Sequence, residues 1–291
     1  MDLAGKFPGH LIQFLTRDKI KLHGFLIGSR TTDACMIYVH GMGSSFLTSI
    51  PFAIYRYANA AGFALFTIDT RGHDNSASLS RYVNGKRENL RGGTDYEVFE
   101  DSWLDIDAAV GALAGLGYKR FVICGHSTGC QKAIYYKDRT KDRRVIGIAM
   151  IGPADDYNML KSELGGKFDA IARRCRNMVR SGRGEMQVPG SGSEFSAQRL
   201  DSIINLSRVE ARILNYKGRL EEFGRIKVPV YAAFGLKEQY VPMDVRTCLR
   251  ILEEKSNSAR FSSSVIEGAD HFFSVGKEEL GRDIGRWLRT L

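Results

Sequence analysis

At 291 residues and 32.5 kDa the chain is long enough for one large α/β domain with a full core and room for an insertion. An apolar fraction of 43% and a charged fraction of 26% are ordinary for a soluble globular protein and exclude a disordered or fibrous chain. A formal charge of +9 would suit an anionic partner, but the basic residues are spread along the chain without a nucleic-acid-binding signature, so a basic surface is the simpler expectation.

The five cysteines, Cys35, Cys124, Cys130, Cys175 and Cys248, form neither a CxxC pair nor metal-finger spacing. Met1–Gly9 lacks a long apolar run, and no stretch approaches the ~18 apolar residues of a membrane span, so a reducing cytoplasm is the expected location.

In chain order, residues 11–16 and 20–27 read as two antiparallel strands around the turn Arg17–Asp18–Lys19. Residues 36–39 read as a buried strand ending in His40–Gly41–Met42–Gly43. A helix over 52–61 and a strand over 63–68 follow, the strand closing at Asp69–Thr70–Arg71–Gly72–His73. His73 is expected to anchor that turn. The polar stretch 74–94 reads as a long loop. Residues 96–116 read as an amphipathic helix, with Trp103, Ile106, Val110, Leu113 and Leu116 on one face and Asp101, Asp105 and Asp107 mostly off it.

A short β-branched strand over 118–124 then meets Gly125–His126–Ser127–Thr128–Gly129, and a helix over 131–139 follows. Strand, Gly-x-Ser-x-Gly and helix form a nucleophile elbow, which holds a serine exposed on a strained turn. Gly125 and Gly129 are required because the strand and helix backbones pass too close for a Cβ. Another buried strand spans 145–151. Alternating strands and helices predict an α/β fold: a mostly parallel sheet with helices on both faces.

Residues 153–225 break the alternation. They carry helical patterns over 167–179 and 198–209 and a glycine-rich stretch over 180–193, and read as a helical cap inserted into a core formed by 1–152 and 226–291. Within the cap, Lys167–Arg183 holds six basic residues against one acid. A solvated helix face and a lid attracting anionic substrates are its two readings. Strands at 228–234 and 260–266 resume the core, with helices over 243–255 and 276–291.

A serine hydroxyl needs a base and an acid that orients it, in the order Ser, acid, His for this topology. Ser127, Glu238 and His271 all follow strands, at the sheet edge where ligands bind. Asp155 and Asp156, just past the strand over 145–151, are alternative acids. Asp244 is a third, more simply read as the cap of the next helix. Because Glu238 stands in a loop, its replacement by glutamine is expected to lower kcat with little loss of stability. The oxyanion donors are expected to be the backbone N–H of Thr128 and that of Met42, with Gly41 the fallback. His40, His126 and Asp270 are expected to hold local structure, Cys130 is not expected to be the nucleophile, and no metal-ligand spacing occurs.

His-Gly-Met-Gly, Asp-Thr-Arg-Gly-His, Gly-His-Ser-Thr-Gly, Gly-Leu-Lys-Glu-Gln-Tyr-Val-Pro and Ala-Asp-His-Phe, in this order, resemble the α/β-hydrolase superfamily over nearly the whole chain apart from the cap. Gly125–Gln131, with Phe-Ser-Ala-Gln-Arg-Leu late in the cap, is similar to a narrower group that includes fungal siderophore esterases. The resemblance implies a Ser–acid–His hydrolase working through an acyl-enzyme, without a cofactor. Glu238 departs from the aspartate usual at its position. The expected activity is a carboxylesterase on small or medium acyl esters, whose partner is a small-molecule ester. Thioesterase or acyltransferase, amidase or peptidase, and carbon–carbon hydrolase chemistry stay open, as does a non-catalytic binding protein on the same fold. Serine at 127 argues against a dehalogenase or epoxide hydrolase.

Overall fold

The computed structural model describes residues 7–28 and 32–291, so most of the Met1–Gly9 stretch lies outside the described residues. The first three strands are β1 (Gly9–Leu15), β2 (Lys21–Ile27) and β3 (Ala34–Val39). Helix α1 (Ser49–Ala60) and strand β4 (Phe63–Ile68) follow. Both β3 and β4 are buried along their whole length, as expected of strands covered on two faces.

The stretch read as a loop over 74–94 forms a separate two-stranded hairpin, β5 (Ala77–Val83) and β6 (Lys86–Gly92). Its turn is Asn84–Gly85, both at positive φ (50° and 77°), the combination a two-residue hairpin favours. The next helix, α2 (Ser102–Gly115), starts later than its pattern suggested, because a short 3-10 turn at Phe99–Asp101 precedes it. Asp105 does not lie off its buried face. It is fully buried and bonded to Arg71.

Strand β7 (Arg120–His126) leads through Ser127 into α3 (Thr128–Thr140), and β8 (Val145–Ile151) follows. Five helices come next: α4 (Asp156–Leu164), α5 (Phe168–Arg180), α6 (Ala197–Ile204), α7 (Val209–Ile213) and α8 (Glu221–Gly224). The chain closes with β9 (Val230–Lys237), α9 (Val245–Lys255), β10 (Phe261–Asp270) and α10 (Lys277–Leu288).

Eight strands make one sheet in the order β1-β2-β4-β3-β7-β8-β9-β10. β2 is antiparallel to both neighbours, and β4 to β10 run parallel. From β3 the order first steps outward to β4 and then reverses to β7, so the crevice of this α/β sheet opens between β3 and β7. On one face α1 and α10 bury Ile50, Ile54, Leu280, Ile284 and Trp287, and on the other α2, α3 and α9 bury Ile106, Val110, Ile134 and Leu252. A third cluster, separate from the sheet, joins Ile171, Cys175 and Met178 of α5 to Leu200 and Ile203 of α6, and Met42 packs against it.

All five cysteines are buried and unpaired. No helix among the described residues is long and apolar enough to cross a membrane. The register between β9 and β10 shifts near its end: Ile266 pairs with Gly235, but Asp270 pairs with Lys237.

Candidate active site

The loops leaving β3, β7, β8, β9 and β10 share one edge of the sheet, because these strands run parallel. At the end of β7, Ser127 adopts φ 55° and ψ −127°, a conformation L-residues rarely hold outside such turns. Its N–H donates to Ile151 O at 2.9 Å, which anchors the turn to β8. A Cβ on Gly125 would overlap the Gly129 carbonyl and one on Gly129 the Val39 carbonyl, so both glycines are steric requirements.

Glu238 and His271 stand one residue beyond the paired ends of β9 and β10. His271 Nδ1 lies 2.8 Å from Glu238 Oε1 and 2.9 Å from Oε2, with both side chains almost fully buried. Glu238 Oε1 also accepts the N–H groups of Gln239 and Tyr240, each at 2.9 Å. A carboxylate offers only acceptors, so Nδ1 carries the ring proton and Nε2 keeps its lone pair, the arrangement a base requires. The loop position of Glu238 therefore does not make its side chain dispensable for folding, as its sequence position suggested.

His126 Nε2 donates to the carbonyl of His271 at 2.9 Å, and the two rings lie 4.9 Å apart. Burial, reinforced by His271, pushes the His126 pKa down to about 4, so the ring is neutral and acts as a strut. Tyr240 and Phe272 flank His271 at ring distances of 4.5 and 5.2 Å. A Cβ on Gly152 would sit 3.1 Å from His271 Nδ1 and 3.2 Å from Glu238 Oε2, so the strand that anchors Ser127 also borders the imidazole.

Neither Ser127 Oγ nor His271 Nε2 has a hydrogen-bond partner among the described residues. In serine hydrolases the hydrogen bond between the serine and its base is often long without substrate and tightens in the Michaelis complex.

The alternative acids are engaged elsewhere. Asp155 caps α4, accepting Asn158 N at 2.9 Å, and also accepts Tyr216 N at 2.9 Å. Asp156 accepts Gln131 Nε2 at 2.7 Å and Thr128 Oγ1 at 3.4 Å. Burial and the nearby Glu210 raise its pKa to about 7. Asp244 caps α9. Asp270 accepts the N–H and hydroxyl of Ser274 and so ties down the loop after His271. His73 donates its N–H to Thr70 O within the turn after β4.

Thr128 opens α3, so its N–H has no acceptor inside the helix. Gly41 passes so close to the elbow that a Cβ there would stand 2.8 Å from Ser127 Cβ. His40 Nε2 accepts Thr70 N at 3.1 Å, so Nδ1 is the protonated nitrogen and donates to Gly41 O at 2.8 Å. Burial, with Lys132 nearby, depresses the His40 pKa to about 3.

Lys132, Glu97 and Arg199 were not singled out for chemistry from the sequence, yet all three are buried close by. The available signal was Lys132 itself, a cation among buried neighbours on the helix that follows the elbow.

No curated protein is similar enough in sequence to count as a match. Solved structures resemble the fold at low identity. Est1E from Butyrivibrio proteoclasticus, with bound ferulic acid, has a TM-score of 0.66 at 17% identity, over 95% of this chain and 98% of its own. The Pyrococcus furiosus esterase Pf2001 has a TM-score of 0.64 at 19% identity, over 98% and 91%. The siderophore hydrolase EstB from Aspergillus fumigatus has a TM-score of 0.66 at 16% identity, over 99% and 96%. These likenesses confirm the α/β-hydrolase fold. Residues 30–204, which include the β3 loop and the elbow, match the profile of the family Hydrolase_4, described as serine aminopeptidase S33. With that match over more than half its length, the chain belongs to this family of α/β-hydrolases.

Proposed function

We propose that the protein is a serine esterase acting on small or medium acyl esters. Ser127 Oγ attacks the ester carbon while His271 Nε2 takes its proton. Glu238 holds the ring and offsets the charge it gains. The ring then protonates the leaving alcohol, and a water deprotonated by the same nitrogen releases the acid from the acyl-enzyme. The N–H groups of Thr128 and Met42 receive the developing negative charge, each worth about 3–4 kcal/mol in the transition state.

The observation that carries this reading is the buried two-oxygen contact of Glu238 on His271 Nδ1, at 2.8 and 2.9 Å. Tyr240 and Phe272, 42% and 57% exposed, give the site an apolar rim that suits an acyl or alkoxy group. Residues 153–225 are read as a cap, with the remaining chain as core. The packing of Met42 against the α5–α6 cluster supports that division. Arg173, Arg174 and Arg180, exposed on α5 with no acidic partner among the described residues, would favour an anionic ester.

Peptidase chemistry is the second reading, favoured by the description of the matching family. Nitrophenyl esters of increasing acyl length, run beside aminoacyl nitroanilides, separate the two. Esters turned over preferentially, with fluorophosphonate labelling at Ser127 that Ser127→Ala abolishes, are expected. Preferential turnover of the anilides would replace the ester reading, and an unlabelled native protein would end both.

A further inference from the structure

A row of buried polar side chains outside the Ser–Glu–His set runs from the helical segment to the loop after β3. Arg199 of α6 has no exposed side-chain area, and its Nη2 lies 3.5 Å from Glu97 Oε1. Its Nη1 pairs with the equally buried Glu210. The other oxygen of Glu97 receives Lys132 Nζ at 2.7 Å, and Lys132 also donates to Thr70 Oγ1 at 3.1 Å. Thr70 contacts His40 Nε2 through its hydroxyl at 3.2 Å and its N–H at 3.1 Å. The row ends where His40 Nδ1–H meets Gly41 O at 2.8 Å.

Space for it is built into the fold. A Cβ on Gly72 would overlap the Glu97 carboxylate. Lys132 and Arg199 are two cations facing two carboxyl groups, Glu97 and Glu210, of which burial pushes the Glu210 pKa up despite Arg199. Burial opposes the charge on Glu97, but Lys132 and Arg199 overcome it and hold the carboxyl below its ordinary range.

The far end of the row has a geometric consequence. Ammonium groups only donate, so Thr70 Oγ1 accepts from Lys132, and its own hydrogen is free to share the acceptor His40 Nε2 with the Thr70 N–H. Gly41 C=O and Met42 N–H belong to one planar trans peptide and point in opposite directions. Holding the carbonyl on His40 therefore aims the Met42 N–H away from it.

We propose that Lys132 and Glu97, tied to the helical segment by Arg199, are positioning residues that aim the Met42 N–H at the oxyanion. This rests on the esterase reading. It adds that the segment over the site and the donor loop beneath it are coupled through a buried ion pair on the nucleophile helix.

The test compares Lys132→Met, Glu97→Gln and the double variant for ester hydrolysis, thermal midpoint and inhibition by a trifluoromethyl ketone, which mimics the tetrahedral oxyanion. Each single variant leaves one buried charge unbalanced and should melt lower. The double variant restores neutrality and should recover much of the midpoint. In all three, kcat should fall roughly ten- to hundredfold with KM within about twofold, and ketone affinity should weaken in parallel. A double variant that regains both its midpoint and wild-type kcat would reduce the row to a folding role and overturn the proposal.

Should those proteins not fold, Thr70→Val breaks the link beyond the ion pair, while Thr70→Ser preserves it. Lower kcat in the valine variant, recovered in the serine variant, is expected, and equal kcat in both overturns the proposal. A wild-type protein without Ser127-dependent turnover defeats the esterase reading itself. An active, labelled wild type with unaffected variants defeats only the positioning role.

Discussion

Gly41 and Ser127 approach so closely that a methyl group on the first would lie 2.8 Å from Cβ and 3.4 Å from Oγ of the second. Gly41→Ala is therefore expected to displace the nucleophile or the donor loop and to lower kcat by about a hundredfold, as a 1 Å misplacement commonly does. Steady-state kinetics with circular dichroism checks this. Near-native activity would show that the loop can retreat without cost.

Glu238→Gln keeps the shape of the side chain but replaces the acceptor-only carboxylate, and it should cost kcat about three to four orders of magnitude. Glu238 is buried and accepts two backbone N–H groups as well as the ring. The variant should thus lose about 1–3 kcal/mol of stability, measurable by urea unfolding. Glu238→Asp keeps the charge but shortens the reach, and should fall between wild type and glutamine in kcat. An unimpaired Glu238→Gln would return the acid role to Asp155 or Asp156.

The Arg71–Asp105 pair makes a structural prediction remote from catalysis. Asp105 accepts Arg71 N at 2.8 Å and Nη2 at 2.9 Å with no exposed side-chain area. Asp105→Ala leaves the buried guanidinium with its hydrogen bonds to the half-exposed Asp18, at 3.1 and 3.2 Å, and should destabilise the fold by about 3 kcal/mol, read from chemical unfolding.

Stability should vary with pH through two opposing effects. Folded His126 and His40 refuse a proton until about pH 4 and 3, whereas the unfolded chain takes it near 6.5. Stability is therefore lost as pH falls below 6.5, by up to about 1.4 kcal/mol per unit for each group. Asp156, raised to about 7, works the other way. The folded state holds a proton that the unfolded chain releases near 3.9, so stability falls as pH rises from about 4 to 7. Asp156→Asn should accordingly stabilise the protein at pH 8, lose that advantage towards pH 4, and steepen the acid decline. Equal destabilisation at every pH would contradict this assignment.

Much of the fold was legible from local pattern. The strands over 63–68 and 145–151 fall where continuous apolar runs put them, because burial on both faces leaves no alternation to misread. The β5–β6 hairpin escaped because β5 is mostly half-buried on both sides and β6 is largely exposed and carries Lys86, Arg87, Glu88 and Arg91, which hides the period of two. Its Asn84–Gly85 turn was the readable sign. Asp105 was misplaced since its partner Arg71 lies 34 positions away, and helical periodicity does not report a buried ion pair. Ser127, Glu238 and His271 could be singled out in the sequence because each follows a strand at one edge of the sheet. Lys132, Glu97 and Arg199 depend on contacts between distant segments, which no local pattern encodes.

Between Gly235 and Lys237 the ninth strand advances two residues, while its neighbour spends four between Ile266 and Asp270, with Gly268 at φ 70° absorbing the slack. Were the same residues threaded into a regular ladder without the bulge, the imidazole would overshoot its carboxylate by about 7 Å at ~3.3 Å per residue. The Glu238–His271 contact is thus set by a miscount between two neighbouring strands. The backbone spacing survives exchange of either side chain, but loss of a single bulge residue would shift it and turn the next side chains to the other face while Glu238 and His271 both remain present.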